Sequence, residues 1–161
     1  MNCAYEQIQF WLLELSSDSA NPLTLDKDGN GYLADKEAGV KIMLSAPRNS
    51  DYFSVNIDLI QVMEKDKQQA FEKALTLNLY QYGTLGASIA FDPKGEILVL
   101  SYLREIGHTQ FLDFQNILTN LVDLSKQLKL QLFDINQRIA NYGKKHQNSP
   151  SVIHSSNFIR A

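Results

Sequence analysis

The sequence predicts an α+β domain in which helices pack on an antiparallel sheet, in the order helix, three strands, helix, two strands, helix. Apolar residues recur at helical spacing near both ends of the chain and in its middle, and alternate with polar residues between these segments. Turn-forming residues separate the segments. The 161 residues are 44% hydrophobic and 20% charged, which suits one domain with a single core.

The first helix is predicted over residues 5–16. One apolar stripe at spacings of three and four residues is expected to face the core: Tyr5, Ile8, Leu12 and Leu15, with Trp11 on its flank. Phe10 and Leu13 lie on the opposite side of the same helix. This second apolar face either binds a partner or belongs to a crowded core, and the sequence leaves both open.

Three strands are predicted after a break at Pro22. Each shows a period of two, which indicates one buried face, through the following apolar residues: Leu23 and Leu25; Val40, Ile42 and Leu44; Phe53, Val55, Ile57 and Leu59. The turn signals between these strands are DGNG at residues 28–31 and PRNSD at residues 47–51.

The second half of the chain repeats the alternation of helix and strand. A helix is predicted over residues 65–80, and two strands over residues 85–91 and 96–103 form a hairpin. The last helix begins near Thr109 and carries an apolar seam that only Ser125 interrupts: Phe111, Phe114, Leu118, Leu121, Ser125, Leu128 and Leu132. Residues 1–142 are therefore expected to form one domain, and the polar, aperiodic residues 143–161 a mobile tail.

A calcium-loop pattern spans residues 26–37, DKDGNGYLADKE. Its coordinating positions hold suitable oxygen donors: Asp26, Asp28, Asn30, Tyr32 through its carbonyl, and Glu37. An EF-hand needs a helix running into this loop, and Pro22 breaks the entering segment. The alternative is a β-hairpin that turns at residues 28–31, and we favour it over a calcium-binding protein built on this loop.

Other classes of function find little support. The net charge of −3 comes from scattered charges, which argues against nucleic acid as a partner. Glu6 and Glu14 interrupt the first apolar run, so neither a signal peptide nor membrane insertion is expected, and Cys3 as the only cysteine suits the cytoplasm. No nucleophile, base and orienting group can be assembled around the three histidines, so we expect no enzyme and no cofactor.

Residues 74–103, ALTLNLYQYGTLGASIAFDPKGEILVLSYL, resemble the centre of the CesT-type, class I type III secretion chaperones. The family pattern is a helix ending in Leu-x-x-Asn, a glycine-containing loop, a strand, an acidic turn and a second apolar strand. Leu75 and Asn78 match its helix end, and Gly83 and Gly86 match its loop. Residues 23–44 are similar to the family's early strand, acidic turn and strand. The resemblance covers residues 5–132, and the calcium-like loop and the long tail depart from it.

The resemblance implies a bacterial cytoplasmic homodimer that keeps the N-terminal secretion segment of an effector soluble, non-globular and export-competent without ATP. It assigns partner binding to apolar residues of the first helix and first sheet: Phe10, Leu13, Leu33, Met43 and Ile60. It assigns dimerisation to the middle helix and the segment after it: Phe71, Ala74, Leu75, Asn78, Leu79, Leu85 and Ala87. Ordinary core packing is the alternative for each of these residues. Export-apparatus components are a further partner class, and a regulator of secretion gene expression is an alternative function within the same fold.

Overall fold

A computed structural model describes residues 3–17, 20–35, 39–79 and 84–146, with side chains as far as Leu132. It confirms the predicted α+β order. The elements are α1 (Ala4–Leu15), β1 (Asn30–Asp35), β2 (Val40–Ser45), β3 (Tyr52–Gln61), α2 (Lys67–Leu79), β4 (Ser88–Asp92), β5 (Ile97–Glu105) and α3 (Phe111–His146). Short 3-10 turns at Glu64–Asp66 and Ile106–His108 lead towards α2 and α3.

The five strands form one antiparallel sheet in the order β1-β2-β3-β5-β4. Apolar side chains from all five strands meet in one row across its inner face: Leu33, Ile42, Ile57, Leu100 and Ile89. Ile42, Ile57, Leu100 and Ile89 lie in predicted strands and are buried, whereas Leu33 at the edge lies outside every predicted strand and is half-buried.

The inner face is covered by α1 and α3 through an aromatic cluster. Trp11 stacks on Phe114 with ring centroids 5.3 Å apart, and Phe114 meets Phe53 of β3 edge to face at 5.8 Å. Ser125, the one polar residue of the α3 seam, is fully buried and donates its hydroxyl to the Val122 carbonyl at 2.7 Å. Because the Ser125 hydroxyl has this partner within the helix, it can be buried without water, and the apolar seam of α3 continues past it.

The middle helix α2 packs beside β4. Ala70 and Ala74 are buried, and Phe71 meets Phe91 of β4 edge to face at 4.9 Å. Phe91 and Ile89 share the inner face of the sheet, so α2 lies on the same side as the other two helices. The opposite face of the sheet carries no helix within the described part of the chain.

The structure places the first strand later than predicted. Residues 23–26 belong to no strand, and the Leu25 N–H instead donates to Oε1 of Gln9 in α1 at 2.8 Å. The residues 28–31 form no hairpin turn between two strands, because the turn there leads into β1 and the chain reverses between β1 and β2 near Gly39.

Two contacts fix this early turn. The Asp26 carboxylate accepts the N–H groups of Asp28 and Asn30 at 2.9 and 2.8 Å, and Gly29 has a φ of 85°. The Gly29 carbonyl accepts the Ala46 N–H at 2.8 Å, and a Cβ at position 29 would lie 2.3 Å from the Ala46 oxygen. Only glycine fits there, since both the conformation and the space exclude a side chain.

Candidate surfaces for peptide binding and self-association

The outward face of α1 is apolar and exposed. Phe10 is 61% exposed and Leu13 is 44% exposed, although Ile8 and Leu12 on the other side of the helix are buried. A depression of about 330 Å³ beside Phe10 is lined by Cys3, Glu6, Gln7 and Phe10. The sequence-predicted second face of α1 is therefore an open surface and is not part of the core.

A second apolar surface lies on the uncovered face of the sheet. Met43 of β2 stands directly opposite Tyr32 of β1, and both are exposed. They border a depression of about 400 Å³ that also reaches Ala34, Lys41 and Asp58. Met43 was among the predicted binding residues, whereas Tyr32 was assigned only to the calcium-like loop.

A third apolar surface is a groove of about 370 Å³ on the helical side of the sheet, between α1, β1 and α3. Its apolar lining comes from distant parts of the chain: Leu15, Leu23, Leu33, Ile42, Leu118 and Val122. Asp35, Thr119 and Asp123 stand at its rim. Of these residues the resemblance assigned only Leu33 to binding, and the periodicities placed the other leucines in the core.

The five predicted binding residues thus do not share one surface. Phe10 and Leu13 belong to α1, and Met43 faces the uncovered side of the sheet. Leu33 lines the groove on the helical side and also borders the depression next to Met43. Ile60 follows an irregularity in the β3–β5 register, pairs with Leu98, and is half-buried against the core.

The sheet edge formed by β1 lies between the second and third surfaces. The Asn30 N–H and C=O both point away from β2, because they bond to Oδ1 and to the N–H of Asp26. Backbone direction alternates along an antiparallel strand, so the N–H and C=O groups of Tyr32 and Ala34 point the same way. Within the described ranges, no hydrogen bond reaches these groups of Tyr32 and Ala34.

The predicted dimerisation residues divide into exposed and inward-packed groups. Leu75, Leu79 and Leu85 are 67%, 74% and 61% exposed, which is unusual for leucines that cluster on one helix and the segment after it. Ala74 and Ala87 are buried, and Phe71 packs on Phe91. Leu85 also has a φ of 51°, in the left-handed region that leucine rarely adopts.

Asn78, the remaining predicted dimerisation residue, links α2 to β4 through its side chain. Its Oδ1 accepts the Ile89 N–H at 2.8 Å, and its Nδ2 donates to the Ile89 carbonyl at 3.0 Å. The side-chain amide therefore bonds to β4 as a neighbouring strand would.

In the calcium-like loop, the first carboxylate, that of Asp26, already accepts hydrogen bonds from the backbone. The hydrogen bond from the Asn30 amide lowers the pKa of Asp26 from its ordinary value, and the Asp28 amide adds to this, although partial desolvation opposes it. Glu37 lies outside the described residues. Among the described residues, no group of three or more His, Cys, Asp or Glu side chains is arranged to hold a metal ion. The segment entering the loop is not helical, as Pro22 predicted.

The architecture is that of the type III secretion chaperones, which the structural comparisons bear out. One chain of the ExsC–ExsE complex has 18% identity and a TM-score of 0.69, over 82% of this chain and 97% of that chain. One chain of the HopA1–SchA chaperone–effector complex has 14% identity and a TM-score of 0.61, over 80% and 98%. The structure of the Yersinia pestis type III secretion chaperone SycH with a fragment of YscM2 matches at 19% identity and a TM-score of 0.55, over 74% and 98%.

The sequence assigns the family. Residues 12–129 match the profile of the Tir chaperone protein (CesT) family, so the chain belongs to this family. No curated protein sequence gives a significant match. In the described ranges, no helix is both long and apolar enough to cross a bilayer.

Proposed function

We propose that this chain is a homodimeric type III secretion chaperone that binds the N-terminal secretion segment of an effector and keeps it soluble and unfolded for export. The observation that supports this most directly is the set of apolar surfaces left open on a CesT-family fold. Phe10, Leu13, Tyr32 and Met43 are exposed on a chain whose core is otherwise well filled. Burial of apolar surface contributes roughly 25 cal/mol per Å², so covering these side chains favours binding of an apolar segment.

The β1 edge provides backbone contacts for such a segment. An added strand would hydrogen bond to Tyr32 and Ala34, and its successive side chains would point to opposite faces of the sheet. One set would enter the groove lined by Leu33, and the other would lie over Tyr32 and Met43. This mode holds the effector segment extended, which suits export and prevents its premature folding.

The dimer uses the exposed leucines of α2 and the following segment. A second copy of the chain would cover the exposed side chains of Leu75, Leu79 and Leu85, while Ala74 is already buried within the monomer. Residues 1–142 form the chaperone domain in this proposal, and residues 143–161 a C-terminal tail.

Holding a segment in this way makes and breaks no covalent bond. We therefore propose a non-enzymatic protein that needs no ATP and no cofactor and acts in the bacterial cytoplasm, where the effector is made. Its partners are the effector, a second copy of itself, and components of the export apparatus, with no role for nucleic acid or membrane insertion.

Native mass spectrometry of the protein purified from its own cells tests the proposal. We expect two copies of the chain with one larger polypeptide, unchanged by ATP, and protection from hydrogen exchange confined to the N-terminal region of that polypeptide. A monomeric chain without a bound polypeptide, or release of the polypeptide by ATP, would contradict the proposal. A bound polypeptide that controls transcription would favour the regulatory alternative.

A further inference from the structure

The sheet has two edges, β1 and β4, and a strand edge is by default open to pairing with another chain. Ile89 bonds to Asn78 through both of its backbone groups, so these groups point away from β5. Because direction alternates along the strand, Phe91 is the only other residue of β4 whose backbone groups point outward.

The outer edge of β4 is blocked at Ile89 and just before the strand. Just before the strand, the Ala87 N–H donates to the Thr84 carbonyl at 2.9 Å, which occupies that amide. At Ile89 the Asn78 amide occupies both groups. Phe71 and Lys67 contact only the ring of Phe91, at centroid distances of 4.9 and 5.9 Å, so among the described residues Ile89 is where the edge itself is occupied. These contacts differ from those at β1, where the described residues leave Tyr32 and Ala34 open.

We propose that Asn78 closes the β4 edge to strand pairing, so that an extended polypeptide can add only along β1. A strand that paired with β4 would have to displace both hydrogen bonds of Asn78. This inference rests on the proposed function for the identity of the β1 partner, but the closure of β4 is a property of the chain alone. A dimer formed next to β4 must then use side chains such as Leu75 and Leu79, since the Ile89 backbone is already bound.

The test compares full-length Asn78→Ala with the wild type, using a second copy of the chain as the pairing probe. Hydrogen exchange of the Ile89 amide is measured by NMR, and assembly by sedimentation velocity over rising concentration. We expect exchange at Ile89 to accelerate about tenfold or more at low concentration, because the Ile89 N–H loses its acceptor, Asn78 Oδ1. At high concentration the variant should form assemblies larger than any of the wild type, in which the Ile89 amide is protected again.

Thr76→Ala is the matched control. Its hydroxyl donates to the Glu72 carbonyl on the same helix at 2.7 Å and does not touch β4, so neither readout should change. If Asn78→Ala only accelerates exchange and sediments as the wild type does, Asn78 merely holds α2 on β4 and the inference is wrong.

Asn78→Leu answers the same question if Asn78→Ala does not fold, because it removes both hydrogen bonds to Ile89 and keeps a side chain of similar size. Larger assemblies with a protected Ile89 support the inference, and wild-type sedimentation overturns it. Failure to find an effector would defeat the proposed function but would leave this result unchanged.

Discussion

Asp26 stabilises the turn before β1 as a charged acceptor. Its carboxylate receives two backbone N–H groups, which favour the ionised form and lower its pKa. A group whose pKa is lowered on folding contributes stability above its unfolded pKa, and this contribution disappears as the pH falls through the folded pKa. The unfolded value is 3.8, so the contribution is present at neutral pH and is lost in acid below that value.

Asp26→Asn is therefore expected to lower the melting temperature slightly at pH 7. The difference in melting temperature from the wild type should become smaller as the pH falls below about 3.8. Thermal unfolding followed by circular dichroism over this pH range provides the measurement. Asp28→Asn is the control. It removes the same charge but keeps the turn, because Asp28 contributes only its backbone N–H to the turn. A difference between wild type and Asp26→Asn that persists undiminished in acid would refute this account.

At the scale of elements, local periodicity predicts most of the fold. The spacing of Ile8 and Leu12 defines α1, and the alternation in β2 and β3 defines their buried faces, because each pattern depends only on neighbouring residues. The start of β1 could not be predicted in this way. It depends on the hydrogen bond from the Ala46 N–H to the Gly29 carbonyl, two residues that are distant in the sequence. It also depends on the hydrogen bonds of Asp26, which place the turn before β1.

The candidate sites also differ in whether local periodicity predicts them. The exposed face of α1 follows from the helical positions of Phe10 and Leu13. The groove next to Leu33 does not, because α3 brings Leu118 and Val122 to it from the far end of the chain. The role of Asn78 was also hidden, since it depends on β4 and not β5 lying at the sheet edge.

The α1–α3 contact is the element-scale feature that should matter most for stability. Phe114 is fully buried between Trp11 and Phe53. We expect Phe114→Ala to lower the free energy of unfolding by about 3–5 kcal/mol, from lost burial and the cavity left behind. Urea unfolding measures this, and Leu112→Ala on the exposed side of α3 should change it by about 0.5 kcal/mol or less. Equal effects of the two changes would contradict the packing described here.

The outward face of α1 should affect binding and leave folding unchanged. We expect Phe10→Asp with Leu13→Asp to weaken effector binding at least about tenfold, because roughly 1.4 kcal/mol or more of apolar burial is replaced by desolvation of charge. Isothermal titration with the effector identified by mass spectrometry measures the affinity, and thermal unfolding checks the fold. Leu130→Asp, at an exposed position of α3, is the control. If the double variant binds the effector with undiminished affinity, α1 is not part of the binding surface.

At the scale of the whole molecule, helices cover one side of the sheet, and none of the described helices covers the other. Apolar surface is exposed on α1, on the uncovered face of the sheet, and on α2, and among the described residues the β1 edge is open at Tyr32 and Ala34. A monomer with this much exposed apolar surface is expected to associate. In the proposed dimer, association through α2 would leave α1 and β1 of both copies available to the effector.

Leu75→Glu with Leu79→Glu is therefore expected to convert the proposed dimer to a monomer, because it would place two charges in the proposed apolar contact. Sedimentation equilibrium gives the mass, and the unfolding transition of each protomer should remain. Leu103→Glu, which changes an equally exposed leucine on β5, should leave the dimer intact. A double variant that keeps the wild-type mass would place the dimer interface elsewhere.

The strand order also sets a sequence of events during synthesis. The β1–β2–β3 meander and the β4–β5 hairpin are each built from neighbouring segments, but β3 can acquire its second neighbour only when β5 has been made, since Tyr52 pairs with Glu105. At about 5–20 residues per second the ribosome needs a few seconds to add the segment from Gln61 to Glu105. During that interval the edge of β3 has no partner, and α3, which covers Phe53, has not yet been translated. A protein proposed to shield the apolar segments of others thus begins with an unshielded apolar strand of its own.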